Sequence, residues 1–293
     1  MKTLSLIVPV YNEEENIEKF INEVEKNILD KIDYEIIFCL DPSIDKSLEI
    51  LLSCKKKYKN IKIILLSRRF GQSLAIKSGL HNCNSKYILV IDVDFQDPPE
   101  LISQMYEKIK DSDYESIYAQ RTSREGETKI RKVLVGLYYY LMNGFSDQNI
   151  FIPKNVGECR IFTKKFVDKL IELDRGNFLR GDSPYLGFKQ AAIKFDRKPR
   201  HGGKSKYTIG SIKGAIIGLL NFSYFFLIIS MIGSVLSFIF GLFSLIYGLD
   251  VKFFIFFALI TIMFIGFVIM LYVKSVFNKV HGADKYVIDK IYD

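Results

Sequence analysis

Leu89–Pro99 reads LVIDVDFQDPP. An apolar run breaks off at three carboxylates, Asp92, Asp94 and Asp97, with Gln96 between the last two. In an extended chain the side chains at i and i+2 point the same way, so a bend at the strand end can aim Asp92 and Asp94 at one ion, directly or through a water. Gln96 continues that spacing as a neutral oxygen ligand. Mg²⁺ and Mn²⁺ prefer such oxygen ligands, and usually take one or two carboxylates together with substrate phosphates and water. Asp97 and the prolines Pro98 and Pro99 set the turn and start the next helix, where proline is tolerated.

Upstream of this stretch, strands and helices alternate. Strands are predicted over Leu4–Val10, Glu35–Leu40, Ile61–Leu66, Tyr87–Asp92 and Ser116–Ala119, and helices over Glu13–Asn27, Lys46–Tyr58, Ser73–His81 and Pro99–Lys110. Leu4–Val10 shows almost no polar alternation, as expected of a strand buried on both faces. Asn12 is placed as the cap of the first helix. The alternation predicts an α/β fold, a doubly wound and mostly parallel sheet, whose ligands bind beyond the carboxyl ends of the strands. Asp41-Pro42-Ser43 and Asp92-Val93-Asp94 both fall at such ends. Downstream, Val133–Leu141 reads as an apolar, tyrosine-rich helix, whereas Asn155–Phe162 and Phe178–Phe188 read as loops.

The later third differs. Gly214–Leu249 and Phe253–Val273 contain no charged residue, and about 20 apolar residues cross a bilayer core. The connection between them is too short for anything but a hairpin. Lys204, Lys206, Lys213, Lys274, Lys279 and Lys285 flank its ends, and basic flanks belong on the cytoplasmic side. The expected organisation is a cytoplasmic catalytic domain over 1–207, an interfacial amphipathic helix over 208–222, spans over 223–249 and 253–273, and a cytoplasmic tail over 274–293. The net charge of +8 favours an anionic partner. Because the basic residues concentrate beside the spans, lipid explains them and nucleic acid is not expected. The cysteines Cys39, Cys54, Cys83 and Cys159 lack zinc spacing and are read as free thiols.

There is no GxGxxG after the first strand and no GxxxxGK[ST], which argues against a dinucleotide fold and a P-loop. What stands instead is VPVYNEEENI (Val8–Ile17), SRRFGQSLAIKSGL (Ser67–Leu80), DVDFQDPPEL (Asp92–Leu101) and RHGGKSKY (Arg200–Tyr207). Together these resemble the family 2 glycosyltransferases of GT-A fold, and within them the polyprenyl-phosphate sugar transferases, namely the dolichol-phosphate mannose synthases and bactoprenol glucosyltransferases. The resemblance runs from Thr3 to the neighbourhood of Gly210 and continues into the paired spans of the bactoprenol branch. It implies transfer of a sugar from a nucleotide sugar, UDP-glucose being the first choice, to a polyprenyl phosphate, with inversion and with Mg²⁺ or Mn²⁺. Pro9, Tyr11, Glu13 and Asp41 would line the nucleotide pocket, and Asp92, Asp94 and Gln96 would hold the metal and diphosphate. Arg121 and Arg131 would meet the lipid phosphate or close over the site. Gly157-Glu158-Cys159-Arg160 matches the family's Gly-Asp-Phe-Arg, with Asp94, Glu158 and Arg121 as the catalytic set. Arg200, Ser205 and Lys206 would belong to the acceptor or diphosphate region. A homo-oligomer is compatible with this reading.

The chain departs from that pattern in four places. Leu40-Asp41-Pro42-Ser43 replaces Asp-Asp-Gly-Ser, Arg69 replaces Asn, Glu158 replaces Asp, and Cys159 replaces Phe. The competing expectations are a processive polysaccharide synthase and a membrane-anchored nucleotide-sugar-binding protein without activity. The first is disfavoured by the absence of tryptophan and by having only two spans; the second is disfavoured by the intact Asp92, Asp94 and Gln96.

Overall fold

The computed structural model describes residues 2–28, 32–122, 128–146, 150–173, 179–196, 215–216, 218–220, 223–248, 251–280 and 285–293. They fall into two units. The first combines residues 1–127, 153–206 and 284–293; the second combines 128–152 and 207–283.

The first unit is built on β1 (Lys2–Val10), α1 (Ile17–Asn27), β2 (Tyr34–Leu40), α2 (Ser47–Lys57), β3 (Ile61–Leu66), α3 (Gln72–His81), β4 (Ser85–Val90), α4 (Glu100–Lys110) and β5 (Ser116–Arg121). It continues in β6 (Val156–Thr163), α6 (Lys164–Leu173), α7 (Leu179–Tyr185), β7 (Gln190–Phe195) and β8 (Ile288–Tyr292). The sheet order is β7-β5-β6-β4-β1-β2-β3-β8. β1 pairs in parallel with β2 and β4, β2 with β3, and β5 with β7. Three pairings are antiparallel: β4 with β6, β5 with β6, and β3 with β8. The sheet is thus mixed, with a parallel centre as expected.

Burial explains the missing alternation in β1. Leu4, Leu6, Val8 and Val10 face one core with Phe20, Leu51 and Met105, while Ile7 faces a second core with Ala75, Ile76, Leu80 and Phe166. Both faces are covered by helices, so Leu4–Val10 is apolar throughout except at Ser5, which is buried and hydrogen-bonded to Glu35 and Ser85. α3 lies so close that a Cβ on Gly79 would stand 2.5 Å from Ile7 Cγ2 and 2.7 Å from Cys39 Sγ. Gly79→Ala is therefore expected to cost about 1–3 kcal/mol by overpacking. Denaturant unfolding of the two proteins in detergent checks this; equal midpoints would contradict it.

Several elements depart from expectation. Asn155–Phe162 was expected to be a loop but is mostly β6. Its charges hide the pattern: Arg160 is buried and hydrogen-bonded, and the largely covered Glu158 pairs with Arg180. Phe178–Phe188 likewise contains α7, a short helix carrying Pro184. β7 and β8 were not expected either: both are short flanking strands, and their lysines suit an edge. Asn12 does not cap α1, which starts at Ile17 with Asn16 at its N-cap. Asn12 instead takes a left-handed φ of 53°. Its N–H donates to Ser43 Oγ (3.0 Å) and its Oδ1 accepts from Ile44 N (3.0 Å), tying the loop after β1 to the loop after β2.

The second unit holds α5 (Lys129–Gly144) and two long helices, α8 (Phe225–Tyr247) and α9 (Val251–Val280). Both long helices are long and apolar enough to cross a membrane, with mean hydropathy 2.4 and 2.9 over their most apolar 18-residue stretches, and little of those stretches is buried. They pack through a glycine and aromatic rings: a Cβ on Gly241 would stand 2.4 Å from the Phe254 ring, and the Phe240 and Phe257 ring centroids lie 5.2 Å apart. Close approach through glycine is a usual means of helix association in lipid. α9 runs past the predicted end at Val273, since a helix need not stop where its apolar stretch does. The interfacial helix predicted over 208–222 lies largely outside the described residues; 215–216 and 218–220 are helical. α5 is fastened to the start of α8 by Tyr224 N donating to Phe145 O (2.8 Å) and Ser223 Oγ donating to Leu141 O (3.1 Å). It exposes Ile130, Val133, Leu134, Leu137 and Tyr140, whose spacing places them along one side.

Candidate active site

In the order β3-β2-β1-β4 the chain reverses direction of growth between β1 and β4, and such a switch point opens a crevice at the carboxyl ends of the strands. The residues beyond those ends are Tyr11 after β1, Asp41 after β2, Ser67–Gly71 after β3 and Asp92 after β4. The opening stretch therefore lies at the crevice.

The bend after β4 has a visible cause. Phe95 sits at φ 60°, a left-handed conformation that costs a non-glycine residue energy. Its ring is held edge-on by Phe20, with centroids 6.2 Å apart, and the Gln96 N–H donates to Asp94 Oδ1 at 3.2 Å. The turn thereby places Asp92, Asp94 and the buried Asp97 in one neighbourhood, and Glu158 joins them from β6. Burial first, then the negative charges of Asp97, Asp94 and Glu158, push the Asp92 carboxyl up to about 8. A hydrogen bond from Gln72 Nε2 to Asp92 Oδ1 (2.7 Å) opposes this.

Four carboxylates that repel one another fit a divalent cation. Among the described residues, no three acidic, histidine or cysteine side chains close on one point as a finished cage.

On the β2 side, Asp41 is buried. Its Oδ1 accepts from Phe70 N (3.0 Å) and its Oδ2 from Gly71 N (2.8 Å). Gly71 holds φ 90° there, which favours glycine. Asp41, expected at the nucleotide, thus shapes the pocket wall. The Arg69 guanidinium lies 4.0 Å from the centre of the Tyr11 ring, in reach of a cation–π attraction. Glu13 Oε2 accepts from Asn16 Nδ2 (2.7 Å), and the Glu13 N–H donates to Ser47 Oγ (3.0 Å). Pro9 lies inside β1, opposite Cys39.

On the β6 side, Glu158 Oε1 accepts from Arg180 Nε at 2.8 Å, and its Oε2 is buried with no hydrogen-bond partner among the described residues. Arg160 is buried too. Nη1 donates to Leu179 O (3.3 Å) and Ser183 Oγ (2.9 Å), and Nη2 to Gly157 O (3.1 Å). Burial lowers its pKa from the ordinary arginine range, against which the Glu158 charge acts. A Cβ on Gly157 would lie 3.5 Å from Arg121 Nη2 and 3.8 Å from Asp97 Oδ2, so Arg121 and Asp97 flank this glycine. A small pocket lined by Tyr118, Arg160, Arg180 and Gln190 opens alongside.

The structure thus brings together Asp92, Asp94, Glu158 and Arg121 of the expected set and adds Gln72, Asp97, Arg69 and Arg180. Arg131 belongs to the second unit, on α5. Arg200, Ser205 and Lys206 lie outside the described residues.

The pattern of glycosyl transferase family 2 matches residues 5–171, a span that includes every carboxylate just described. The chain belongs to glycosyl transferase family 2. Among its relatives, the uncharacterized glycosyltransferase YkcC of Bacillus subtilis is 40% identical over 75% of this chain and 68% of its own length. The bactoprenol glucosyl transferase derived from prophage SfII in Shigella flexneri is 28% identical over 98% of this chain and 97% of its own length. The glucosyl-3-phosphoglycerate synthase of Mycobacterium tuberculosis, crystallised with Mn²⁺, UDP and phosphoglyceric acid, superposes with a TM-score of 0.51. The alignment covers 75% of this chain and 78% of that one, at 15% identity. That likeness shows the family's GT-A fold.

Proposed function

We propose that the protein transfers a sugar from a nucleotide sugar, UDP-glucose first, to a polyprenyl phosphate at the cytoplasmic face of the cell membrane, releasing a nucleoside diphosphate. The observation that carries this reading is the match to a bactoprenol glucosyl transferase over 98% of the chain. It spans the carboxylate site and the apolar helix pair alike, as expected if the acceptor is a lipid.

A phosphate monoester is already largely anionic near neutral pH, so the acceptor oxygen needs little help from a base. Attack on the anomeric carbon from the side opposite the diphosphate breaks the sugar–phosphate bond and inverts the centre. The work left to the protein is positioning and charge stabilisation. Bound Mg²⁺ or Mn²⁺ would neutralise the leaving diphosphate, with Asp92 and Asp94 holding the ion and Gln96 beside them. Tyr11 and Glu13 line the nucleoside side with the wall shaped by Asp41. Arg121, and the pocket with Arg160 and Arg180, offer cations to the acceptor phosphate; Arg131, Arg200, Ser205 and Lys206 are assigned to the same task. Glu158, held through one oxygen by Arg180, keeps its other oxygen available to orient donor or acceptor.

Two crossings by α8 and α9 keep both flanking segments on one side. The first unit supports this, since it contains residues from before and after the pair. The exposed apolar residues of α5, with Lys129, Arg131 and Lys132 among them, suit a membrane surface.

The test is direct. Membranes containing the protein are incubated with a panel of radiolabelled nucleotide sugars, and lipid is extracted. Label is expected in a polyprenyl-phosphate sugar, from UDP-glucose most strongly, and lost on chelation. If no donor labels lipid while nucleotide sugar still binds, the non-catalytic binding protein is the correct reading.

A further inference from the structure

We propose that β8 is a positioning element for the donor site, bracing residues 67–72, the run that joins the donor pocket's three anchor residues. The inference rests on the transferase reading for its functional consequence, but its structural core stands apart from it.

β8 follows both apolar helices in the chain, yet it pairs with β3 in the first unit, Ile63 opposite Tyr292 and Leu66 opposite Ile288. The register shifts between Leu65 and Leu66, where β3 ends and the pocket wall begins. Just beyond, the Ser67 N–H donates to Val287 O at 2.9 Å. Tyr286 and Ile288 pack against the same core as Phe70. The Tyr286 hydroxyl lies 2.7 Å from His81 Nδ1, at the far end of α3, the helix that starts at Gln72. Lys62 and Asp293 pair at 2.7 Å at the other end of the strand.

From Ser67 the chain makes one donor-site contact after another. Arg69 covers the Tyr11 ring, Phe70 N and Gly71 N hold the two oxygens of Asp41, and the Gln72 side chain holds Asp92. Residues 67–71 are outside any helix or strand, so their placement depends on such anchors. One end of the run is fixed by α3 and the other by β8. Loosening the β8 end leaves the sheet centre intact but widens the range of positions open to Arg69, Phe70 and Gly71. Ordering them is then charged to donor binding.

The test removes residues 285–293 from the full chain and reads two quantities. Amide hydrogen exchange at Phe70 and Gly71 is expected to rise about tenfold or more, and the KM for the nucleotide sugar about tenfold, the KM for the polyprenyl phosphate staying put. A synthetic peptide of residues 285–293 added in trans is expected to reverse both. Unchanged exchange, or equal rises in both KM values, would overturn the proposal. Should the shortened chain fail to fold, Ile288→Ala and Tyr286→Phe decide: a donor-selective rise of roughly threefold supports the brace, and none refutes it. If the intact protein transfers no sugar from any nucleotide, the exchange result alone decides the brace, and the transferase reading falls by itself.

Discussion

Asp92→Asn is expected to lower sugar transfer by about a thousandfold and, at the same time, to raise the melting temperature of the ion-free protein above pH 8 by roughly 3–6 °C. The two effects have one cause. Asp92 is held at about 8 against an ordinary 3.8. The folded chain therefore binds this proton more tightly than the unfolded chain does. The stability linked to that proton is complete below pH 3.8 and drains away as pH rises towards 8. Above 8 the folded state carries a carboxylate pressed against Asp97, Asp94 and Glu158. Asparagine removes that charge and with it the ion's anchor. Adding Mn²⁺ at pH 8 is expected to raise the melting temperature of the wild type and not of the variant. Because the ion must displace a proton from Asp92, its affinity is expected to fall as pH drops below 8. Thermal melts at pH 6, 7, 8 and 9, with chelator and with Mn²⁺, check this. Parallel pH slopes in the two proteins, or retained transfer in the variant, would refute the assignment.

Arg160→Leu is expected to cost about 3–5 kcal/mol, in the range for removing one partner of a buried charged network. The guanidinium serves three oxygens at once, Leu179 O, Ser183 Oγ and Gly157 O. Leucine leaves all three buried without that donor and takes the nearby positive charge from Glu158. α7 would lose its tie to β6, and Arg180, which α7 carries, would lose its position at Glu158. Lysine restores charge but cannot spread its donors over the same fork, so Arg160→Lys is expected to recover stability only in part and activity little. Denaturant unfolding, with limited proteolysis around α7, measures both. A loss below about 1 kcal/mol for leucine would show that the network is dispensable.

What was legible in the sequence follows from where each residue gets its partners. The central strands could be read because β1 and β4 are covered on both faces, leaving an apolar record in the sequence. The Asp92 and Asp94 pair could be read because it stands at a strand end, a local fact. Glu158 and Arg160 looked like loop charges because the groups that neutralise them, Arg180, Ser183 and the Leu179 carbonyl, come from α7. Asp41 is assigned to the nucleotide from its position; that its oxygens also accept from the Phe70 and Gly71 amides, a contact between two strand ends, is something spacing does not reveal. Asp97 was read as a turn residue only; its turn is real, and the same turn presses it into the acid cluster. β8 left almost no signal, since a five-residue flanking strand needs little beyond Ile288, Ile291 and Tyr292.

The place of β8 in the chain also orders assembly during synthesis. β3 has an open hydrogen-bonding edge until Ile288–Tyr292 arrives, and an open edge is where strands of different molecules join. The segment that covers it is translated only after α8 and α9. On the proposed membrane reading, a nascent chain would commit its apolar helices to the bilayer before its own sheet is sealed. Until Ile288–Tyr292 pairs, β3 keeps the edge that a neighbouring molecule's strand could take.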